Sequence, residues 1–276
     1  WMIFARRGID IDAYPAIKRH LEQFRERLEP RPRDWTGGRW PGRKPGSYRW
    51  YEIQDAIDYF ELFEKPKIMY QEIQFHPQYG FNDSGLLTNN KGFFLSSADP
   101  WLIAVLNSPL MWWHNWRHLP HMKDEALSPV GVLMERLPIA PPTDEMREEA
   151  EESVRRLISL TDTEREARRD TLDWLRVEFG VGKPGQKLEA FAALDADPFV
   201  EEVRKRRPKG EARLTPASLR DLRSGYEEGA APIREARAEA TKLEIRLSDL
   251  VNEAYGLTDE EIRLLWSTAP PRMPRF

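Results

Sequence analysis

Cysteine is absent from the chain. That removes disulfides, thiol nucleophiles and thiolate metal sites, and it suits a reducing cytoplasm. No apolar run approaches the roughly 18 residues of a membrane span and no signal peptide is visible, so a cytoplasmic location without a membrane partner is expected. There is no Gly-rich cofactor turn after a strand and no nucleophile elbow. KPGQK (Lys183 to Lys187) lacks the Gly-x4-Gly-Lys-Ser/Thr phosphate pattern and reads as a loop. These absences leave no catalytic machinery and no cofactor site in this segment. An initiator Met is also lacking: the chain opens on Trp1 within WMIFARRGIDID, which reads as the tail of a strand and its turn, so a piece of a longer polypeptide is expected.

What is present is charge, unevenly placed. The 276 residues carry a formal net charge of -4, with 18 Lys plus Arg against 17 Asp plus Glu up to residue 140 and 24 against 29 beyond it. Arg31 to Tyr51 (RPRDWTGGRWPGRKPGSYRWY) gathers six basic residues, one acid, five aromatics and seven Gly or Pro. Like charges repel, and this stretch has no hydrophobic period, so folding alone gives no reason to collect them. A polyanion does, because each phosphate neutralised releases counterions and the aromatic planes can stack near bases. A solvated surface loop is the plain alternative.

The organisation follows from periodicity and breakers. Asp12 is placed to cap a helix running to Glu29, with Pro15 in its first turn and Ile17, Leu21, Phe24 and Leu28 as its apolar stripe. Strand character marks Trp50–Gln54, Lys67–Phe75, Gly85–Thr88 and Gly92–Ser96, with a hairpin tip at Asn89–Gly92. A buried helix is predicted from Asp99 to Trp116. Leu137–Pro142 (LPIAPP) reads as a linker, and charge-rich helix follows over Thr143–Phe179 and Thr215–Tyr255, which suits an antiparallel pair. Breakers at Gly180–Phe191 and Arg206–Ala212 flank a short helix, and a capping box of Thr258 and Glu261 opens a last one. The expected fold is α+β: a mixed α/β domain over 1–142, then an α-helical domain with long antiparallel helices over 143–276.

Four constellations could carry chemistry. His114 and His118, four apart, could share a metal, but Pro120 breaks the helix before His121 and no acid stands at ligand spacing. Asp195, Asp197, Glu201 and Glu202 lie on one short helix, where acids near the N-terminus offset the macrodipole. Lys65 and Lys67 flank Pro66 at a strand entry beside the basic loop, and a phosphate contact by at least one is expected. Asn89, Asn90 and Lys91 suit a turn, yet amide side chains also match adenine edges; Gln54, Gln71 and Gln74 are similar candidates.

The ordered set YPAIKRHL (Tyr14 to Leu21), WYEI (Trp50 to Ile53), KPKIMY (Lys65 to Tyr70), IAVLNSPL (Ile103 to Leu110) and LPIAPP resembles the TaqI-like C-terminal specificity domain. This is the target recognition domain of adenine-specific DNA methyltransferases and type IIG restriction-modification enzymes. The resemblance covers about residues 3–142. The remainder, with LDWLRVEFG and SDLVNEAYGLT, is similar to the C-terminal helices of large fused restriction-modification proteins and to the spacers of type I specificity subunits. The Asn-Pro-Pro-Tyr motif and S-adenosylmethionine loop of the methyltransferases are absent here. The resemblance therefore implies an upstream methyltransferase domain that holds S-adenosylmethionine, and a divalent metal if the parent also has a nuclease domain.

On this reading the chain binds double-stranded DNA and performs no chemistry alone. Arg33, Arg39, Arg43, Lys44, Lys65 and Lys67 position phosphates; Tyr48, Arg49, Asn89, Asn90 and Lys91 are candidate readers; Trp50 and Tyr51, with Lys65 and Lys67, are carried by the family framework. Two rival readings stand beside it: a helical protein-interaction module without DNA specificity, and a metal-dependent hydrolase using the histidines.

Overall fold

Proline and small polar caps set most element boundaries. The computed structural model describes residues 2–210 and 212–275. Trp1, where a strand tail was expected to begin, lies outside them, as does Glu211 within the Arg206–Ala212 breaker. The rest of the opening segment holds no strand: it turns at Arg7–Gly8 and winds into a 3-10 turn over Ile11–Ala13. Asp10 caps that turn by accepting from the Asp12 amide at 3.1 Å, while the helix that Asp12 was expected to cap starts behind Tyr14 without a side-chain cap. The expected single helix is two, α1 (Pro15–Glu22) and α2 (Arg25–Leu28), because neither buries a residue fully and the chain leaves helical geometry at Phe24 (φ -114°, ψ 12°).

The described residues form two compact units. The first takes in the chain up to Lys65 together with Asp83–Leu87. It holds α1, α2 and a 3-10 turn over Phe60–Glu64, and it buries Ala5, Ile11, Tyr48 and Phe63. Trp50–Gln54 and Gly85–Thr88, expected as strands, are irregular. At the first, the Glu52 carboxylate accepts from the amides of Arg49 and Gly8, each at 2.8 Å, which curls the chain into a turn. At the second, Gly85 takes a left-handed φ of +66° that no strand accommodates.

The second unit, Pro66–Asn82 with Thr88 onward, opens on a three-stranded antiparallel sheet in the order β2-β1-β3, made of β1 (Lys67–Gln71), β2 (Gly80–Asn82) and β3 (Gly92–Leu95). Ile68 stands opposite Phe81 on one side and Leu95 on the other, and it is fully buried. β2 escapes sequence reading because three residues carry no period. The buried helix expected over Asp99–Trp116 is broken by Pro109: α3 (Pro100–Asn107) ends at Ser108, whose hydroxyl caps α4 (Pro109–His118) by accepting from the Met111 amide at 3.1 Å. A short α5 (Gly131–Met134) precedes the Leu137–Pro142 segment.

Thr143 then caps α6 (Asp144–Phe179), which ends on left-handed Gly180. The chain returns through α7 (Gly185–Glu189), α8 (Ala196–Arg206) and the 39-residue α9 (Pro216–Ala254), and closes with α10 (Asp259–Ser267) behind the expected capping box. α6 and α9 run antiparallel, as the pairs Glu149–Arg246, Arg156–Glu239 and Glu164–Arg237 show by their opposed numbering. α9 continues through Gly225, Gly229 and Pro232. The two glycines are explained by close approach: a Cβ on Gly225 would strike the Trp174 ring of α6, and one on Gly229 would strike the Thr171 hydroxyl.

Each end of this pair carries its own core. Met146, Ala150, Val154, Leu247, Leu250 and Val251 pack with Ile68, Trp101, Val105 and Leu106 of the sheet and α3. At the other end Leu175, Leu222, Tyr226 and Ile233 enclose Leu188, Phe191 and Phe199. The compositional boundary at 142/143 thus marks the start of a helix, while the first of these cores draws residues from both sides of it.

The ion-pair ladder carries a pH signature. Hydrogen bonds from Arg246, Arg237 and Arg156 hold Glu149, Glu164 and Glu239 below the ordinary carboxylate range, against a smaller opposing effect of burial. A carboxylate depressed in the folded state stabilises fully above its unfolded pKa, and that contribution is lost as pH falls through the depressed value. The urea midpoint is therefore expected to drop as pH is lowered below about 4.5, the ordinary Glu value. The drop should be smaller in Arg237→Gln, which has already lost one rung; equal acid sensitivity in the two proteins would remove the ladder as its cause.

Candidate nucleic-acid interface

The basic loop of the first unit is folded around one arginine. Arg43 donates to the carbonyls of Leu28 (2.7 Å), Glu52 (2.7 Å), Trp50 (2.9 Å) and Arg49 (3.2 Å), and its guanidinium lies 4.5 Å from the centre of the Tyr48 ring. Its backbone bridges to the end of α2 through Arg43 N to Glu29 O at 3.0 Å and Arg31 N to Arg43 O at 3.0 Å. Desolvation pulls the Arg43 guanidinium below its ordinary value, with Tyr48 and Glu29 pushing the other way. Trp40 donates to the Glu29 carbonyl at 3.0 Å and meets Trp35 edge-on at 5.0 Å. The Gly- and Pro-rich composition had suggested an open loop; these bonds make it a built one.

Around that frame the remaining cations point outward. Arg31, Arg33, Arg39, Lys44 and Arg49 are exposed, and none has a carboxylate ion pair among the described residues. Arg49 donates to the Tyr51 hydroxyl at 2.7 Å, which holds its pKa above the ordinary value. Trp50 is half-buried, with the Arg25 guanidinium 5.0 Å from its ring centre. Arg25, Arg31, Arg33, Arg49, Trp50 and Tyr51 line an open cleft of about 630 Å³ together with Asp12, Glu22 and Glu29. Arg25 went unnoticed in the sequence because it looked like one more polar position on a helix; only the fold sets it over Trp50. Lys65 is also exposed in this unit.

Three sequence candidates are taken up by contacts within their own units. Arg43 is committed to four carbonyls, and Tyr48 is buried beneath it with its hydroxyl donating to the Lys44 carbonyl. Lys67, expected at a strand entry beside the basic loop as a phosphate contact, has 0 % exposure, and its ammonium donates to Asn82 Oδ1 across β1 and β2 at 2.9 Å. A side chain with no surface cannot reach a duplex phosphate, so Lys67 leaves the candidate footprint.

In the second unit Asn89, Asn90 and Lys91 are exposed, as expected, but they do not cap a hairpin. They form the turn entering β3, where Asn89 Oδ1 accepts from the Lys91 amide at 2.9 Å and Lys91 pairs with Glu72 at 2.6 Å. Among the weaker candidates, Gln74 is buried, its backbone paired in both directions with Leu127. Asn107 bonds both backbone groups of Tyr79, at 3.1 and 2.9 Å, so the IAVLNSPL stretch ties α3 to the entry of β2.

The histidines do not converge. His114 and His118 stack with ring centres 4.3 Å apart, while His121 contacts the Trp116 carbonyl at 2.7 Å. Burial lowers the His114 pKa, Asn115 raises it, and the neighbouring His118 lowers it further. Among the described residues no group of three or more His, Asp or Glu is arranged to hold a metal ion. Among the same residues, no helix is long and apolar enough to cross a membrane.

Comparison with known families places one match. Residues 143–251, which run from the cap of α6 to near the end of α9, match the family described as Domain of unknown function (DUF8810). No curated protein matches the chain.

Proposed function

We propose that the chain binds double-stranded DNA and selects its site, as the target recognition part of a restriction-modification adenine DNA methyltransferase. Its catalytic domain, with S-adenosylmethionine and any divalent metal, lies elsewhere in the same chain or complex. One observation carries the reading: five exposed cations without a carboxylate ion pair among the described residues stand on a loop whose own frame is satisfied by Arg43, with Trp35, Trp50 and Tyr51 beside them. Cations that are not tied up in ion pairs and stand on a fixed support attract phosphates without first having to order the loop. The ordered motif resemblance names the partner and the role. Extruding a base costs a few kcal/mol, and a basic wall that grips the distorted duplex has that task.

The direct experiment recovers bound duplexes from a pool with a randomised core at moderate salt. Enrichment of one short motif is expected. The quadruple variant Arg31→Gln, Arg33→Gln, Arg39→Gln, Lys44→Gln should flatten the dependence of log affinity on log salt by about 0.9 for each phosphate that is no longer neutralised, up to about 3.6 in all. A slope equal to that of the unaltered protein would remove this loop as the DNA-binding surface.

A further inference from the structure

The second half of the chain is acidic, yet one part of it is not. Residues 183–213 carry eight basic against six acidic residues, while the rest of 141–276 carries 16 against 23. The fold sharpens this contrast. Along α8 Asp197 lies in the first turn, with Asp195 at its cap, Glu201 and Glu202 lie at the middle, and Arg204, Lys205 and Arg206 lie in the last turn. Such segregation complements the macrodipole and needs no ligand to explain it.

The macrodipole does not explain Lys183 and Lys187, which come from a different segment and arrive at the same place. Gly185, at φ +70°, lies under the Arg206 guanidinium, whose three terminal atoms stand 2.8 Å from where a Cβ would be. That contact sets the flanking Lys183 and Lys187 beside the basic end of α8. Lys205 and Arg206 both pair with Glu202, at 3.5 and 3.3 Å, and Lys187 acts electrostatically on the same carboxylate. Burial raises the Glu202 pKa, but these three cations together leave it below the ordinary value. Glu202 is itself buried, so its charge is spent beneath the cations while Lys183, Lys187, Lys205, Arg206 and Lys209 keep surface open to solvent. Three cations, Lys187, Lys205 and Arg206, share one buried acid, with Lys183 and Lys209 close by in sequence, and the positive excess favours an anion outside them.

We propose that this cluster, at the end of the long helix pair where α7 meets α8, is a second, sequence-independent contact for the phosphate backbone of duplex DNA. The proposal deepens the DNA-binding reading and rests on it. Among the described residues the cluster has no aromatic partner of the kind found in the basic loop, and lysine predominates. Lysine is a compact point charge that meets phosphates without reading bases. The recognition loop chooses the site, and the helical arm adds affinity on any sequence.

The test uses the whole chain and a duplex of arbitrary sequence. Lys183→Gln, Lys187→Gln and Lys209→Gln are combined, sparing the two residues paired with Glu202. The log–log salt slope should fall by about two to three units, with the melting temperature unchanged. A slope matching the unaltered protein overturns the inference; if the loop variant still flattens the slope, the DNA-binding reading survives it. Absence of duplex binding by the unaltered protein overturns both. Lysine acylation of the unaltered protein gives a second readout that needs no variant: the duplex should protect Lys183, Lys187 and Lys209, and equal labelling with and without it counts against the site.

Discussion

Replacing Arg43 with alanine is expected to unfold the first unit, and with it to abolish the loop's contribution to DNA binding, although Arg43 presents little charge to a ligand. Its guanidinium donates four hydrogen bonds to carbonyls of α2 and of the Arg49–Glu52 turn, and it covers the buried Tyr48 ring. Hydrogen bonds from a charged donor are worth about 1.5–3 kcal/mol each, and acceptors left unsatisfied add their desolvation cost. These bonds are partly open to water and share one donor group, so the sum is discounted to about 3–4 kcal/mol overall. For a unit of this size that is a fall of about 12 °C or more in melting temperature.

Lysine at this position keeps the charge but not the planar fork, and it reaches one or two of the four carbonyls at best, so Arg43→Lys should restore little. Tryptophan fluorescence reads the event directly, because Trp35, Trp40 and Trp50 all lie in this unit. A melting temperature within a degree or two of the unaltered protein would show that the loop does not depend on Arg43.

Trp101→Ala should produce an effect of similar size in the second unit. The indole is 2 % exposed between the sheet and the long helices, and its Nε1 donates to the Ala140 carbonyl at 2.9 Å. Truncating a buried tryptophan costs about 3–5 kcal/mol in lost transfer energy and cavity, and the orphaned carbonyl adds to this. Trp101→Phe isolates the polar share: most of the packing is kept, the hydrogen bond is removed, and a cost of about 1–2 kcal/mol is expected. Urea unfolding followed by circular dichroism distinguishes the two. Equal losses for Phe and Ala would mean that the bond to Ala140, rather than packing, holds this region.

That contact also bears on what could be read from the chain. The α+β class, the two long antiparallel helices and the Thr258 cap were legible because amphipathic period and capping chemistry are local. Leu137–Pro142 read as a linker by its prolines, and it has no regular structure. Its tether to Trp101 reaches back 39 residues and has no local signature. β2 was missed for its shortness, and the break at Pro109 because an apolar surface all round masked it.

The basic loop was found through composition, which ranks residues by type. Composition cannot separate Arg43, which faces inward, from Arg39, which faces out; nor could it show that Lys67 is enclosed. Those distinctions depend on which carbonyls lack partners once the chain has turned, and turning is a property of the fold. The cluster around Glu202 was overlooked for the opposite reason, since the acids of α8 drew attention to their own end of the helix.

The ladder of Glu149–Arg246, Arg156–Glu239 and Glu164–Arg237 fixes more than stability. A helix advances by about 100° per residue, so one residue inserted into α6 would rotate every later rung away from α9 and carry Thr171 and Trp174 off their glycines. Seven residues, close to two turns, nearly restore the face, but only if α9 lengthens by the same amount on the opposite side. Point substitutions on the outer faces are free to accumulate, while changes of length are confined to rare paired steps. The arm is therefore expected to diverge in sequence far faster than in span, keeping both of its ends a set distance apart.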